Sequence, residues 1–303
     1  MTGFCSDTFD DPFNPYLPCA SKVPLPKLQG GNSRSGERRV EAGQSPGSSD
    51  ADIAVRGRVP SVRAAGKHLV VDGWVLLAGA VAGAEVANAR QWLDRATTDP
   101  ALLDRLQAQF DAPGVPRKLR RIFWADPSFW ASWIHRSGLR DAALALVGSE
   151  PALVFHAAFL KPAGVGGAVG FHQDQALWEA TLPGAYSFWM PLEAADSTNG
   201  GIIVCPGSHR DGLVPHVPDA GHPWHDVVDL KAAGIVPLPV ASAPGDVVVW
   251  DRFLVHGSDA NASGRSRRAM VLVFAPDTEH TRGQAADLMS LAEVDHLVVP
   301  TDG

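Results

Sequence analysis

The sequence is poor in cysteine, has no excess of basic residues and contains no long apolar run. Its cysteines are an odd and scattered set of three among 303 residues: Cys5, Cys19 and Cys205. This argues against a disulfide scaffold and predicts a reduced, cytoplasmic protein. No stretch reaches the roughly 18 apolar residues needed to span a bilayer, since the nearest candidate, 70–86, contains two acidic residues. We also expect no signal peptide, because no basic region followed by an apolar stretch opens the chain.

The charge balance argues against a nucleic-acid partner. The chain has 26 Lys and Arg against 33 Asp and Glu, a formal net charge of −7, whereas general nucleic-acid binders usually carry a basic excess. With 45% hydrophobic and 19% charged residues, the composition is that of a globular protein long enough to enclose a pocket. We therefore predict a small-molecule partner, with no nucleic acid and no membrane. No feature of the sequence fixes the oligomeric state.

The first 66 residues differ from the rest of the chain. They are rich in Pro, Gly, Ser and Arg, and their sparse apolar residues show no sustained period. Such a segment buries too little apolar area to offset the entropy lost on ordering. We predict that 1–66 is a disordered or loosely docked extension, that 67–303 is one domain, and that a strand region begins with His68–Val71 and Trp74–Leu77.

The character of the domain changes from helical to β along the chain. Apolar residues at helical spacing predict helices at 85–95, 102–110, 126–135 and 139–147. Short β-like runs between Pro/Gly turns follow at 153–160, 185–191, 201–204, 246–250 and 269–274. Strands at this spacing suggest an antiparallel sandwich or jelly roll. The predicted fold class is therefore mainly β with helices, with an N-terminal helical layer packed on the β core.

The first chemical signal is the run His172-Gln173-Asp174. Residues i and i+2 of a strand point to the same face, so His172 and Asp174 can converge on one point while Gln173 turns away. An imidazole nitrogen and a carboxylate oxygen suit a divalent metal, although two ligands alone do not make a site.

His256 supplies the third ligand, because distant strands lie side by side in a jelly roll. It follows a strongly β run and a Pro244-Gly245 turn. Two histidines and one carboxylate on one face of a metal leave adjacent positions open, which is the arrangement of non-heme Fe(II) oxygenases. The open positions admit a bidentate cosubstrate and O2.

A 2-oxoglutarate cosubstrate needs a fixed cation for its distal carboxylate. Arg267, on or entering the next β run, suits this role because a planar guanidinium binds a carboxylate through two parallel hydrogen bonds. Ser258 lies two residues after His256 and could bond the same carboxylate. Arg265 and Arg268 compete for the role, although strand alternation puts Arg268 on the face opposite Arg267.

Together these residues resemble the phytanoyl-CoA dioxygenase family of Fe(II)/2-oxoglutarate oxygenases. The matching motifs are, in order, Asp72-Gly73-Trp74, Phe171-His172-Gln173-Asp174, Phe188-Trp189-Met190-Pro191, Asn199-Gly200-Gly201, Pro206-Gly207-Ser208-His209, Pro244-Gly245-Asp246 and His256-Gly257-Ser258, with Asn261, Ser263 and Arg267. The resemblance extends over residues 67–276.

The resemblance implies a double-stranded β-helix (cupin-like) in which His172, Asp174 and His256 bind iron and Arg267, with Ser258, holds 2-oxoglutarate. It also implies that Trp189 lines the cosubstrate pocket. Lys161 matches a lysine of the family, and the sequence leaves open whether it lines the site or pairs with a surface acid. Family relatives that halogenate replace the metal carboxylate with a small residue, so the presence of Asp174 argues against halogenation.

Substrate contacts are harder to assign. Trp178, four residues past Asp174, and Gln175, at the start of the loop 175–184, are candidates. The basic run 117–121 is either a solvated face or a source of one residue that reaches the site. His216, His222 and His225 match no common zinc spacing, and we expect them in a loop near the pocket mouth.

The predicted function is an Fe(II)-, 2-oxoglutarate- and O2-dependent oxygenase. It hydroxylates an unactivated C–H bond of a small metabolite and releases succinate and CO2. Desaturation or ring closure are variants of this outcome. The alternative is a non-redox cupin-like metal enzyme or an inactive jelly-roll binding module, for which Arg267 beside Ser258 would have no purpose.

Overall fold

A computed structural model of the chain describes residues 62–148, 150–178, 181–222, 224–284 and 288–298. The predicted extension lies outside these residues except for 62–66, which begin the first helix. Among the helices of the described residues, none has the length and hydropathy required to cross a membrane.

Helices and strands alternate in the N-terminal part, and strands dominate from residue 151 onward. The helices are α1 (Val62–Val71), α2 (Gly83–Ala96), α3 (Pro100–Arg105), α4 (Ile122–Ala125), α5 (Pro127–Arg136), α6 (Leu139–Val147), α7 (Asp174–Leu177), α8 (Leu230–Ala233), α9 (Glu279–Gln284) and α10 (Leu291–His296). The strands are β1 (Trp74–Leu77), β2 (Gln109–Ala112), β3 (Val115–Leu119), β4 (Pro151–Lys161), β5 (Val169–His172), β6 (Tyr186–Pro191), β7 (Ile203–Val204), β8 (Leu238–Pro239), β9 (Val247–Asp251), β10 (His256–Ser258), β11 (Arg267–Pro276) and β12 (Met289–Ser290).

The strands form two antiparallel sheets. The larger has the order β1-β9-β6-β11-β4-β3-β2, with β12 pairing to β4, and the smaller has the order β5-β10-β7-β8. Neighbours such as β9 and β6 are separated by long stretches of sequence, as in a jelly roll, in which consecutive strands cross between sheets. The predicted jelly-roll core is confirmed, and all five predicted strand runs from 153 onward lie on observed strands.

Strict alternation along the central strands places one apolar set on each face of the larger sheet. On β11, Met270, Leu272 and Phe274 face a cluster shared with the helices, whereas Val271 and Val273 face a cluster shared with the smaller sheet. Both faces are therefore buried, which explains why these strands read as continuous hydrophobic runs in the sequence.

The helical layer covers the outer face of the larger sheet. Trp92 and Leu93 of α2 and Trp130 and Trp133 of α5 are buried in this layer. Trp130 makes edge-to-face contacts with Trp92 at 5.1 Å and with Trp133 at 5.2 Å between ring centroids. The predicted helices at 85–95, 126–135 and 139–147 are confirmed, and Trp130 and Trp133 are fully buried core residues.

Two predictions about the N-terminal elements are wrong. Residues 68–71 are the end of α1 instead of a strand, because Ala65 and Leu69, four residues apart, bury one helical face while Val70 is exposed. A four-residue apolar run does not distinguish a strand from a helix.

The predicted helix 102–110 ends early. Helix α3 stops at Arg105, and Gln107 adopts a positive φ of 46°. The chain then enters a hairpin of β2 and β3, whose connection includes Gly114 at φ 76°. The hairpin adds an edge to the larger sheet beside the site described below.

His156 on β4 is an unusual member of the core. It is fully buried, with its ring 4.7 Å from that of Trp130, and neither ring nitrogen has a hydrogen-bond partner among the described residues. Burial lowers its pKa to about 3. The imidazole is therefore neutral in the folded protein at neutral pH.

We expect His156 to make the protein sensitive to acid. As the pH falls from 6.5 towards 3, the unfolded chain takes up a proton that the folded chain excludes, so the free energy of unfolding falls, by about 2 kcal/mol at pH 5. His156→Leu should remove this contribution, whereas the matched control His135→Leu, at an exposed position of α5, should retain it. The measurement is urea denaturation of each variant between pH 7.5 and 5. An unchanged pH dependence in His156→Leu would contradict the assignment.

Candidate active site

The two candidate metal-binding histidines are brought together by the register of two strands. In the antiparallel pair β5 and β10, His172 lies directly opposite His256, and their ring centroids are 4.4 Å apart. Both side chains are buried, with exposures of 6% and 4%. Cross-strand pairing thus places residues that are 84 positions apart in the sequence at van der Waals distance.

Backbone contacts direct the same ring nitrogen of each histidine towards the centre of the site. Nδ1 of His172 lies 2.8 Å from the carbonyl oxygen of Gly170, and Nδ1 of His256 lies 2.9 Å from that of Leu254. A carbonyl can only accept, so each Nδ1 carries the proton and each Nε2 keeps its lone pair. This is the tautomer that a metal ligand requires.

Asp174 completes the cluster by dividing its two oxygens between two tasks. Oδ1 lies 3.9 Å from Nε2 of His172 and 3.7 Å from Nε2 of His256. Oδ2 accepts hydrogen bonds from the Ser187 hydroxyl at 2.6 Å and from the Trp250 indole at 2.9 Å. These two donors fix the carboxylate so that Oδ1 faces the histidines.

The predicted reason for this convergence is partly wrong. Strand β5 ends at His172, and Asp174 is the first residue of helix α7, so the two do not share a strand face. The turn from strand to helix brings Asp174 to the histidines.

The side chain of Gln173 does turn away from the histidines, as predicted. Its amide nitrogen donates to the carbonyl oxygens of Gly212 and Phe253, and its Oε1 accepts from the amide of Val214.

The cluster fits a divalent metal. One ligand atom from each of His172, Asp174 and His256 lies within 4.8 Å of the others. Burial and the neighbouring imidazole of His256 lower the pKa of His172 well below its ordinary value, so its ring is neutral and able to donate to a metal. Two imidazoles and one carboxylate form the donor set typical of non-heme Fe(II).

A second cluster, beside the first, fits a dicarboxylate. Arg267 is 2% exposed, and its Nη2 donates to the carbonyl oxygen of Gly200 at 2.6 Å, while its Nε has no hydrogen-bond partner among the described residues. Lys161 pairs with Arg267 across β4 and β11, and its Nζ lies 2.8 Å from the Ser258 hydroxyl.

The two basic groups of this cluster disfavour being charged together. Burial and the charge of Arg267 lower the pKa of Lys161 to about 6, and burial lowers the pKa of Arg267 to about 10. At neutral pH the guanidinium is therefore charged and the lysine is largely neutral. A bound carboxylate would pair with Arg267 and favour the charged lysine, so the residues present suit the distal end of 2-oxoglutarate.

Gly200 and Trp189 shape the same cluster. Gly200 has a φ of 76°, and a Cβ there would lie 2.6 Å from both the Asp259 carbonyl oxygen and the Lys161 side chain. The ring of Trp189 lies 5.9 Å from the Arg267 guanidinium. Arg268 points to the opposite face as predicted, where it pairs with Glu193 and Asp94.

A cavity of about 440 Å³ joins the two clusters. The predicted residues that line it are His172, Asp174, His256, Arg267, Ser258, Trp189 and Lys161. Trp178 and Gln175, the predicted substrate contacts, are not among the lining residues. Trp178 packs against the apolar cluster between the sheets, and Oε1 of Gln175 accepts a hydrogen bond from the amide of Leu182.

Other residues at the cavity could not be chosen from the sequence. Arg117 and Lys118 of the basic run line it, as do His222 and His225 of the histidine-rich loop. Ser187 and Trp250 were missed, although they occupy opposed positions on β6 and β9. Side chains alternate between the two faces along a strand, so pairing β6 with β9 in the right register puts Ser187 and Trp250 on one face. The sequence does not show that register, because it depends on contacts between distant parts of the chain.

Comparisons with known proteins identify the family. The model of the family described as phytanoyl-CoA dioxygenase (PhyH) matches residues 69–269, more than half of the chain. Phytanoyl-CoA dioxygenase 1 of Oryza sativa subsp. japonica is 37% identical over 136 residues, which are 43% of this chain and 46% of the rice protein, so the match spans less than half of that relative. Ectoine dioxygenase of Bordetella bronchiseptica is 28% identical over 67% of this chain and 71% of its own length.

Solved structures agree with this result. The crystal structure of EctD from S. alaskensis with 2-oxoglutarate and 5-hydroxyectoine superposes with a TM-score of 0.61 at 26% identity, over 70% of this chain and 74% of that one. The same protein with bound Fe gives a TM-score of 0.58. The chain belongs to the phytanoyl-CoA dioxygenase family of Fe(II)- and 2-oxoglutarate-dependent oxygenases.

Proposed function

We propose that this chain binds iron through His172, Asp174 and His256 and 2-oxoglutarate through Arg267, and that it hydroxylates a C–H bond of a small molecule. The observation that carries the proposal is the convergence of three ligand atoms on the cavity that also contains the buried Arg267. A non-redox cupin or an inactive binding module would need no buried arginine in the cavity that its metal ligands line.

Small-molecule chemistry agrees with the size of the cavity and with the names of the relatives. A cavity of about 440 Å³ must hold both the cosubstrate and the reacting part of the substrate. Two relatives are named for small molecules, namely ectoine dioxygenase and methylphosphonate hydroxylase, the latter from Gimesia maris at 24% identity. We further propose a cytoplasmic protein without a nucleic-acid partner, on the cysteine content and the net charge.

The protein supplies ligands, orientation and a dry cavity to the reaction. Iron, together with 2-oxoglutarate and O2, supplies the oxidising power for an unactivated C–H bond, with succinate and CO2 as co-products. His172 and His256 would hold the metal through Nε2 and Asp174 through Oδ1, a three-ligand set that would leave further coordination positions for 2-oxoglutarate and O2. Arg267 and Ser258 orient the distal carboxylate, and Trp189 and Ile202 exclude water around it.

Ser187 and Trp250 keep Asp174 in its ligating orientation. Their hydrogen bonds occupy Oδ2, so the carboxylate binds a metal through Oδ1. The carboxylate also fills the position that a halide would need, so we propose hydroxylation and not halogenation.

The metal site is tested by Asp174→Ala. We expect loss of iron binding and of succinate release, because the variant removes one of three ligands. Succinate is measured with Fe(II), ascorbate and 2-oxoglutarate under air, and bound iron is measured after desalting. Asp141→Ala, at a side chain that is 85% exposed on α6, should match the wild type. Wild-type iron content and succinate release in Asp174→Ala would refute the assignment.

The cosubstrate site is tested by Arg267→Gln. Loss of a charge-assisted hydrogen-bond pair should weaken 2-oxoglutarate binding by about 10- to 150-fold, which corresponds to roughly 1.5–3 kcal/mol. The neighbouring Arg268→Gln is the matched control, because it removes the same charge from the opposite face of β11. Calorimetric titration of the iron-loaded proteins with 2-oxoglutarate under argon gives both dissociation constants. Equal weakening by the two variants would contradict the proposed role of Arg267.

A further inference from the structure

The cavity wall contains two guanidinium groups, of which the cosubstrate uses one. The basic lining residues are Arg117, Lys118, Lys161 and Arg267, and the one lining carboxylate is that of Asp174. Burial lowers the pKa of both lysines, that of Lys161 to about 6, whereas the pKa values of Arg117 and Arg267 stay near 10. The arginines are therefore the cations that persist at neutral pH, and Arg267 faces the proposed cosubstrate carboxylate, which leaves Arg117 for the substrate.

Arg117 lies at a position outside the iron and cosubstrate clusters. Its side chain is 14% exposed, and its guanidinium lies over the Trp224 ring at 3.6 Å from the centroid. One nitrogen, Nη2, donates to Gln109 Oε1 at 2.7 Å. Burial lowers its pKa to about 10, which still leaves it charged at neutral pH.

The nearest acid only partly satisfies Arg117. Asp111 Oδ1 lies 3.9 Å from Nε, beyond hydrogen-bonding distance, and Nε is buried without a hydrogen-bond partner among the described residues. A buried guanidinium nitrogen without an acceptor carries a desolvation cost that a bound oxyanion would offset.

Lys118 lies next to Arg117 on β3 and also lines the cavity. It is 6% exposed and lies between Phe155 and Phe159, with Nζ 5.6 and 5.0 Å from the two ring centroids. Burial lowers its pKa well below the ordinary value, the charges of Arg120 and Arg117 lower it further, and Asp174 opposes this. An anion bound at Arg117 would favour the charged form of this lysine, because opposite charges at close range stabilise each other.

The opposite rim places this cationic region close to the metal. Trp224, which stacks on Arg117, is adjacent to His225, and the His225 ring lies 4.5 Å from that of the metal ligand His172. The side chains of His222 and His225 line the same cavity. An anionic group held at Arg117 would therefore lie in the same cavity as the three candidate metal ligands.

We propose that the substrate carries an oxyanion, a carboxylate or a phosphate-type group, and that Arg117, stacked on Trp224, binds it and determines specificity. This inference rests on the proposed function and adds to it the chemical class of the substrate. A cationic substrate group is disfavoured at this position because Arg117 is itself a cation at neutral pH.

Anion binding can be tested without turnover and without the natural substrate. The protein, loaded with Fe(II) and saturating 2-oxoglutarate under argon, is titrated with sodium propionate, inorganic phosphate or neutral propionamide, and the melting temperature is recorded. We expect propionate or phosphate to raise the melting temperature and propionamide to leave it unchanged, since a ligand of the folded state stabilises it. The two anions distinguish a carboxylate subsite from a phosphate subsite.

Variants assign the effect to Arg117. Arg117→Gln should need about tenfold more anion for the same rise, as expected for loss of a charged hydrogen bond, and Arg117→Lys should retain part of the response. Arg282→Gln, which removes an exposed arginine paired with Asp277 outside the cavity, should respond as the wild type does.

Two outcomes would overturn the inference. The first is a wild type that responds equally to the anions and to the amide, and the second is an Arg117→Gln that responds to the anions as the wild type does. A purely structural clamp between Arg117 and Trp224 predicts the second outcome, with a lower melting temperature but an unchanged response. Because the titration needs no turnover, its failure is distinct from failure of the succinate assay, which tests the oxygenase itself.

Discussion

The site depends on the pairing of two short strands. The register of β5 against β10 sets His172 opposite His256, and a shift by one residue would turn one imidazole to the other face. Both histidine side chains are buried. The carbonyl group of Gly170, in β5, and that of Leu254, just before β10, fix the tautomers of the two rings. Asp174 needs more of the fold, because its orientation comes from Ser187 and Trp250 on the other sheet. The candidate metal site therefore draws its residues and their supports from both sheets.

Electrostatics divides the cavity into regions with different tasks. The candidate metal ligands offer two imidazoles and the carboxylate of Asp174. Around Arg267, burial and the charge of the guanidinium lower the pKa of Lys161 to about 6, so a charged lysine is disfavoured on the adjacent strand. A carboxylate bound in this region would favour the charged lysine, because it would offset the repulsion between the two basic groups. The apolar set on the other face of the same sheet, which packs on the helices, stabilises the fold.

Sequence reasoning succeeded where the signal is local or repeats with the period of an element. The central strands were predicted because apolar residues fill both faces, and the helices α2, α5 and α6 because their apolar residues recur at helical spacing. The predictions were wrong at α1, where a four-residue apolar run is compatible with a strand or a helix. They were also wrong at the β2–β3 hairpin, where the predicted helix ends before Gln107, a residue with a positive φ. The sequence left open which residue of the basic run 117–121 reaches the cavity, since that depends on where the hairpin lies.

The sequence by itself determined the chemistry, because residue types fix what can be bound. Two histidines and an aspartate suit a non-heme iron, and an arginine with a nearby serine suits a carboxylate. Only the tertiary structure decided the geometry. It placed Asp174 at a helix start, chose Ser187 and Trp250 as its supports, removed Trp178 and Gln175 from the cavity wall and brought Arg117 onto Trp224. The physical reason is that strand register and loop placement come from contacts summed over the whole core, whereas ligand chemistry belongs to single side chains.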